Sequence, residues 1–550
     1  MHIKLHRSGP RTYVRIVEAY RDAGRVKHRT LATLGRAEDI APEQVDALIS
    51  GLLRVTGRAD EVGVDRTIAV APALEFGPSS LLTALWVELG LDASLRHLLR
   101  SSRRQFDVVA MLRVMVLHRL CDPDSKLGVL RWLQLARVPG IDPQTVTHQR
   151  LLRAMDALSD AGDRLQDALA TMLRPMLDVA LSIVFYDLTT IRVHGEGDVD
   201  DDLRAYGHSK DVLGSARQCV LGLIQTADGL PIAFEVFAGN VSEAKTLIPM
   251  LERTRKRFAI ERVIVVADRG LVNLDNMAEL ESLGLEFILA VPARRYSELI
   301  EQFATMTFPE DQASIQEHAW QSRRLIIAHD PERATTQHQA RKKRIAEIEV
   351  EGQRIADKLN AQDAGKSARG RRASDRGAFI RFSKMVADEG LSRILKADLR
   401  ADLFSFECDD EALREAERCD GKLVLVSNVA ELAAEQIVER YKSLADIERG
   451  FRVLKSDIEI APMYHRLPDR IRAHAATCFM ALLLHRVMRM RLREANAETS
   501  PERALHALKA VQWFHVKVGR TVKTGMTALS KEQQQIYQQL KLPLPDKTAV

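Results

Sequence analysis

The sequence predicts an α/β protein in which a largely buried sheet follows an all-helical region. Residues 79–177 carry apolar side chains at helical spacing, as in LLTALWVELG and VVAMLRVMVL. From residue 181 onwards, short apolar runs such as SIVFYDLTT and RVIVVADRG alternate with helical stretches. This change in periodicity predicts a domain boundary near residue 180.

Composition indicates a folded protein and excludes several classes. The chain has 550 residues, of which 46% are hydrophobic, and a net charge of +5. Its longest apolar run, near 475–484, is much shorter than the ~20 residues that span a bilayer, and MHIKLHRSGP lacks a secretory apolar region. We therefore expect a cytoplasmic protein without a membrane partner. The five cysteines form no C-x-x-C pair, which predicts ordinary thiols.

The chain is predicted to divide into six segments. Residues 11–36 alternate around Asp22–Gly24 and predict two basic strands joined by a tight turn, and a helix is expected at 42–55. The predicted segments are 1–60, a basic β-hairpin and helix; 76–178, a helical and DNA-binding domain; 181–293 and 422–500, the two parts of a catalytic core; 294–421, an insertion with a charged helix; and 501–550, a C-terminal tail.

Basic residues cluster locally although the net charge is mild. One cluster is Arg341–Arg344, and a looser one runs from Lys366 to Lys384. Such clusters suit the DNA backbone, but each is equally compatible with a solvated helix face or loop.

Two carboxylates stand at the ends of apolar strands. Asp187 follows the run from Ile183 to Tyr186, and Asp268 follows a similar run in VIVVAD. Burying an isolated carboxylate costs several kcal/mol unless it is paired, so both predict a partner that the local sequence does not supply.

A third carboxylate, Glu448, lies in the predicted helix YKSLADIERGFRVLKSDIEI, residues 441–460. Tyr441, Glu448 and Lys455 are seven residues apart and therefore share one side of a regular helix. An apolar stripe flanks them, formed by Leu444, Ile447, Phe451, Leu454 and Ile458. The alternative is that Glu448 is a surface residue paired with Arg452 at i+4.

Three carboxylates from separate elements repel each other unless a cation lies between them. A set of oxygen ligands favours Mg²⁺ or Mn²⁺ over zinc. Two such ions about 4 Å apart can activate a water or 3′-hydroxyl and stabilise the leaving oxygen of a phosphodiester. The sequence thus predicts metal-assisted phosphoryl transfer with two ions.

The motifs YDLTT, ADRGL and Y-x2-L-x3-E-R-x2-R-x2-K resemble the conserved blocks of DDE-type bacterial transposases of the insertion-sequence-four superfamily. YGHSKD and the basic N-terminal hairpin resemble its sixteen-thirty-four branch. The resemblance implies a ribonuclease-H-like core with an insertion before the catalytic helix. It also implies that Asp187, Asp268 and Glu448 are catalytic and bind the metals. Leu444 departs from the pattern, which has Arg there.

The resemblance further implies DNA-binding residues and partners. Tyr441 and Lys455 would contact phosphates near the cut, with Arg452 beside them. Trp320 in the insertion would stack a flipped base, the alternative being an ordinary core aromatic. The implied partners are the terminal repeats of the element and target DNA, bound by a homodimer, so that the bound protein is associated with the nucleoid.

Two other functions remain compatible with these residues. One is an inactive DNA-binding derivative of a transposase, against which the presence of all three acids argues. The other is a metal-dependent nuclease or phosphatase without strand transfer. The acidic run Asp198 to Asp202 is expected to be solvated, and His194 and His208 to be structural or surface residues.

Overall fold

The computed structural model describes the chain except for residues 59–67, 178–182, 195–201, 209–214, 242, 261, 268–273, 293–295, 297–307, 310, 366–372, 401, 519–520 and 546–550. Some side chains within helices and strands are also not described, among them those of Asp187 and Glu448. The chain forms two compact units. The first contains Met1–Phe76 and Ala510–Leu529, and the second contains Gly77–Lys509 and Ser530–Pro545.

The first unit begins with a three-stranded antiparallel sheet. Its strands β1 (His2–Ser8), β2 (Arg11–Asp22) and β3 (Arg25–Arg36) lie in chain order. Ala23 and Gly24 join β2 to β3 with φ angles of 46° and 80°, the backbone that a two-residue hairpin loop requires. Helix α1 follows at Pro42–Val55, as predicted, with proline in its first turn.

A second small sheet joins the two ends of the chain. Strand β17 (Gln512–Val518) lies between β18 (Thr521–Met526) and β4 (Ile68–Val70), and it also pairs with β5 (Leu74–Glu75). The segment 501–550, expected to be a tail, therefore contains these two strands, together with helices α16 (Pro501–Leu508) and α17 (Lys531–Gln539). The sequence did not show this because the pairing partners of β17 lie near the opposite end of the chain.

The second unit begins with the predicted helices. Asp107, Ser125 and Thr147 cap three of them by accepting a backbone N–H from the first turn. The helices are α2 (Gly77–Glu88), α3 (Leu91–Leu98), α4 (Val108–Cys121), α5 (Lys126–Leu135), α6 (His148–Ala161) and α7 (Asp163–Leu173).

The long helix α15 (Pro468–Glu494) packs against α4 and α6 and contains the longest apolar run of the sequence. It nevertheless buries His474, His485 and Arg486. In the described part of the chain, no helix has the length and apolar character needed to cross a membrane. All five cysteines are free thiols, as predicted.

His118 in α4 makes the helical region sensitive to acid. Burial, followed by repulsion from Arg119 and Lys126, lowers the pKa of His118 from 6.5 to about 3. Its ring is fully buried and tilted against Trp132 at a centroid distance of 5.4 Å. Between pH 6.5 and 3 the unfolded chain binds more protons than the folded one, so the free energy of unfolding falls as the pH falls.

We expect His118→Phe to lower by one the number of protons that the chain takes up on unfolding. The slope of unfolding free energy against pH should drop by up to about 1.4 kcal/mol per pH unit in the middle of that window. Denaturant unfolding at a series of pH values measures it, with the exposed His97→Phe as control. Equal slopes for His118→Phe and wild type would contradict the account.

The central sheet is mixed. Its strands are β6 (Ile183–Arg192), β7 (Ala205–His208), β8 (Ser215–Thr226), β9 (Pro231–Ala238), β10 (Ile264–Ala267), β11 (Glu286–Ala290), β12 (Ser314–Trp320), β13 (Arg323–His329) and β16 (Lys422–Ser427). Strands β9, β8 and β6 are antiparallel neighbours, and β10 and β11 then run parallel to β6. Beyond β11 the sheet continues through β16, β13 and β12, each antiparallel to the strand before it, while β7 pairs with the other end of β8.

Helices cover both faces of this sheet. On one face the hydroxyl of Tyr186 lies 2.7 Å from Thr246 Oγ1 of α8 (Glu243–Phe258). On the other face Phe185 shares a core with Ile437 and Val438 of α13 (Ala434–Lys442). Helix α9 (Leu274–Ser282) packs against β11.

The predicted insertion, 294–421, is partly sheet. Its strands β12 and β13 extend the central sheet beyond β16, so only the part after His329 forms a separate lobe. Gly352 allows close packing in that lobe, since a Cβ there would lie 2.6 Å from the ring of Phe382. The lobe contains α10 (Pro331–Asp363), α11 (Asp375–Asp388), β14 (Leu395–Arg400), β15 (Leu403–Cys408) and α12 (Asp410–Arg418).

Candidate functional site

The strands that lead to the first two predicted acids are parallel neighbours. Ile264, Val265 and Val266 of β10 pair in register with residues 183, 184 and 185 of β6. Asp187 lies within β6 two positions after this paired stretch, opposite Leu223 of β8. Asp268 directly follows the last residue of β10 in the sequence and lies outside the described residues.

The helix that carries Glu448 lies against the strand that carries Asp187. Helix α14 (Leu444–Arg452) packs on β6 and continues into a π-helical turn at Val453–Asp457. The backbone positions of the first and third acids are therefore brought to neighbouring elements, although they are 261 residues apart (448 − 187 = 261).

The predicted single helix over 441–460 is wrong. Helix α13 ends at Lys442, α14 begins at Leu444, and the last turn is π-helical. A π turn bonds i to i+5 and holds more residues than an α turn, so the constant step of 100° per residue does not extend to Lys455. The alignment of Tyr441, Glu448 and Lys455 into one straight stripe therefore does not follow from their spacing.

The predicted apolar stripe is confirmed where side chains are described. Leu444, Phe451, Leu454 and Ile458 are all buried, whereas the side chain of Ile447 is not described. Leu444 packs into the main core beside α13, with 3% of its surface exposed. A charged Arg at this position would be buried among apolar side chains, an environment that Leu444 fits.

Sequence reasoning missed the residues against which α14 packs. A Cβ on Gly450 would lie 2.7 Å from Arg486 Nη2 of α15 and 3.0 Å from Gln225 Oε1 of β8. Both side chains are buried, with 2% and 0% of their surface exposed. The one available signal was the position of Arg486, a charged residue close behind the apolar run near 475–484.

We expect Gly450→Ala to displace α14 from this contact. A shift of about 1 Å at a catalytic element can cost about 10²-fold in rate, so DNA cleavage should fall strongly while the chain stays folded. Cleavage rate and thermal midpoint measured together test this. Gly51→Ala in α1, where a new Cβ has open space, is the control and should leave cleavage unchanged and the thermal midpoint equal or slightly higher, since alanine favours a helix over glycine. Normal cleavage by Gly450→Ala would contradict the close approach.

Tyr441 and Lys442 border a cavity of about 250 Å³ where β13 ends and β16 begins. His329 and Arg333 also line it. Burial, aided by Lys422, lowers the pKa of His329. Among the other predicted DNA contacts, Arg452 is exposed at the end of α14 and Lys455 is half-buried in the π turn.

Trp320 lies at the opposite edge of the sheet from the end of β10, the strand that leads to Asp268. It ends the edge strand β12, which runs antiparallel to β6, β10 and β11 through the intervening strands. Its end of β12 is therefore at the edge of the sheet where β6 and β10 begin, whereas Asp268 follows the end of β10. Its partner in the register is Arg323.

The acidic run differs from expectation at its one described residue. Asp202 is ion-paired with Arg204 at 2.8 Å and with Arg217 at 3.2 Å, and the hydrogen bond from Arg204 lowers its pKa. It is therefore held by cations rather than by solvent, and residues 198–201 lie outside the description. His194 stacks on Tyr464 at 5.4 Å, a structural contact, and the side chain of His208 is not described.

Comparison with known proteins decides the family. The model described as the transposase DDE domain matches residues 180–484, and the model described as the IS1634 family transposase, N-terminal domain, matches residues 3–62. The chain belongs to the DDE-domain transposases. The resemblance predicted from YDLTT, ADRGL and the N-terminal hairpin is thereby confirmed, including the branch. Transposases of this family generally use divalent metal ions.

Three solved transposase complexes are similar to this transposase at low identity. A piggyBac transposase synaptic complex with hairpin DNA has 8% identity and a TM-score of 0.35, covering 79% of this chain and 76% of that one. The Mos1 transposase paired-end complex has 14% identity and a TM-score of 0.14, covering 38% and 76%. The Drosophila P element transposase strand transfer complex has 10% identity and a TM-score of 0.21, covering 74% and 97%. No curated protein matches the chain.

Proposed function

We propose that this transposase binds the ends of an insertion sequence and cuts and joins DNA strands there by metal-dependent phosphoryl transfer. The packing of α14 on β6, with β10 parallel to β6, carries the proposal. This packing supports a single site to which β6, the segment after β10, and α14 each contribute one acid.

The topology supports a ribonuclease-H-like core. Three antiparallel strands, β9, β8 and β6, are followed by two parallel ones, β10 and β11, and the helix with Glu448 lies against the first strand of the set in the chain. The lobe after His329 is then the insertion between β13 and β16, which separates the second acid from the third in sequence.

The residues fit divalent ions in chemical type. Asp187, Asp268 and Glu448 offer only oxygen ligands, the donor set that Mg²⁺ or Mn²⁺ prefers. Two such ions, when bound, would activate the attacking oxygen and stabilise the leaving oxygen of the phosphodiester. The chain itself would fix the ligands on a strand and a helix, while Tyr441, Arg452 and Lys455 hold the DNA backbone near the cut.

The test is incubation of the purified protein with the DNA that flanks its gene, in the presence of Mg²⁺. We expect cuts at defined ends of the element, followed by joining of those ends to a second DNA. Cutting without joining would indicate a nuclease. End binding without cutting would indicate an inactive derivative. The molar mass of the same protein–DNA complexes, measured by light scattering, tests the predicted homodimer.

A further inference from the structure

A basic cavity of about 680 Å³ lies between the helical region and the segment that follows α14. Arg119 and the start of α5 form one wall, and residues 459–467 with the start of α15 form the other. Its acidic lining residues are Asp124 and Glu459. Its basic and imidazole side chains are those of Arg119, Lys126, His148, His465, Arg466, Arg470 and His474.

Lys126 is buried at the start of α5, and its ammonium group keeps N–H donors for a ligand. Only 6% of its surface is exposed, and its Nζ lies 3.3 Å from His474 Nδ1. His474 Nε2 lies 3.2 Å from the carbonyl of Ile460, which can only accept, so Nε2 carries the proton and Nδ1 accepts from Lys126. An ammonium group has three donors, and this contact uses one of them.

The local field also favours an anion. Three helices begin at the cavity: α5 at Lys126, α6 at His148, and α15 directly after Leu467. Each helix start carries positive partial charge, and at α5 and α6 the side chains of Ser125 and Thr147 already accept one first-turn N–H each. Arg470 is ion-paired with Asp156 and Asp124 with Arg131, which leaves Arg119, Lys126 and Arg466 as the cations of the lining against one carboxylate, Glu459.

The cavity is tied to the strand of the first acid. The N–H of Met463 donates to the carbonyl of Arg192 at 3.1 Å, and its carbonyl accepts from the N–H of His194 at 2.8 Å. Arg119 holds the same segment by donating to the carbonyl of Glu459 at 3.1 Å. Val193 lies six residues beyond Asp187, which at about 3.3 Å per residue is about 20 Å along the chain.

We propose that this cavity binds one backbone phosphate of the bound DNA near the phosphodiester that is cut, with Lys126 and Arg466 as its ligands. This inference rests on the proposed function, since it presumes that DNA is the substrate. A phosphate here would fix the register of the duplex relative to α14.

A phosphate bound beside Lys126 would also change the protonation of its side chain. Burial, followed by repulsion from Arg119, lowers its pKa to about 7, and a phosphate would raise it again. DNA binding should therefore take up a proton near neutral pH. The titratable and charged groups that face Lys126 are Arg119 and His118 of α4, Asp124, His465, and His474 and Cys478 of α15.

The test begins with inorganic phosphate alone and needs no cleavage activity. We expect phosphate to raise the thermal midpoint of wild type and of the control Arg472→Gln, and to have less effect on Arg466→Gln and Lys126→Met. Arg466 and Arg472 are both exposed near the start of α15, but only Arg466 lines this cavity. Equal effects in all four proteins would overturn the site.

The second arm uses duplex DNA of the element end. Arg466→Gln should make the slope of log affinity against log salt shallower by about 0.9, and Arg472→Gln should not. Wild type should bind more tightly at pH 6 than at pH 8, a difference that Lys126→Met removes. Ethylation of the one phosphate that this cavity holds should interfere with binding by wild type and not by Arg466→Gln.

The outcomes separate this inference from the function on which it rests. Normal cleavage with unchanged salt slope in Arg466→Gln would overturn the DNA phosphate site and leave the function standing. Should Lys126→Met fail to fold, Arg466→Gln alone decides, because its side chain is exposed. Absence of cleavage by wild type would remove the proposed function, and the inorganic phosphate arm would still report on the cavity.

Discussion

Replacing Asp187, Asp268 or Glu448 by the matching amide is expected to abolish strand cleavage while end binding changes by no more than a few fold. The amide keeps the shape of the side chain but removes the charge that holds a divalent ion. Loss of charge stabilisation at a reacting phosphoryl group costs on the order of 10³-fold or more in rate. Gel assays of cleavage and of binding on the same DNA measure both quantities.

Asp228→Asn is the matched control for these three changes. Asp228 is exposed in the turn between β8 and β9, and the neighbouring Thr226 pairs with Val184 near the start of β6. It therefore lies away from the end of β10, and the variant should cut at the wild-type rate. Cleavage that survives in any of the three amide variants would remove that residue from the site.

Replacing Lys455 by Ala is expected to reduce cleavage by about 10²-fold, the cost of misplacing a reacting group, while metal binding persists. A lysine cannot ligate Mg²⁺, so its role would be to hold a phosphate as a point charge. Removal of a nearby cation should if anything tighten metal binding, since like charges repel. Mn²⁺ titration by calorimetry, run beside the cleavage assay, separates the two effects.

Lys256→Ala provides the comparison, because Lys256 is exposed on α8, which covers the other face of the sheet. It should alter neither quantity. Weakened Mn²⁺ binding in Lys455→Ala would mean that the π turn supports the metal ligands directly. An unchanged cleavage rate would leave α14 connected to the site through Glu448 alone.

The parts of the core that carry short-range patterns could be predicted from the sequence. The continuous apolar runs of β6, β10 and β16 indicate strands buried on both faces, and the stripe from Leu444 to Ile458 indicates a helix buried on one face. The order of those elements in the sheet could not be read from the same patterns, since it depends on pairing between distant segments.

Three features could not be predicted because the local sequence pattern does not determine them. Strand β12 is an edge strand whose residues are mostly exposed or half-buried, so it has little apolar pattern. The contact of Arg119 with the carbonyls of Ile458 and Glu459 joins residues far apart in the sequence. The break at Ser443 separates two helices that pack on different strands, α13 on β11 and β12 and α14 on β6.

Strand β6, the segment after β10 and helix α14 are together expected to hold divalent metal. The most direct test is to load the protein with Fe²⁺ in place of Mg²⁺, add ascorbate and peroxide, and map where the backbone is cut by the radicals formed at the metal. The account predicts cuts near residues 187, 268 and 448 together, all suppressed by excess Mg²⁺ and by Glu448→Gln. Cuts near only one of these positions, or centred on the acidic run at 198–202, would contradict it.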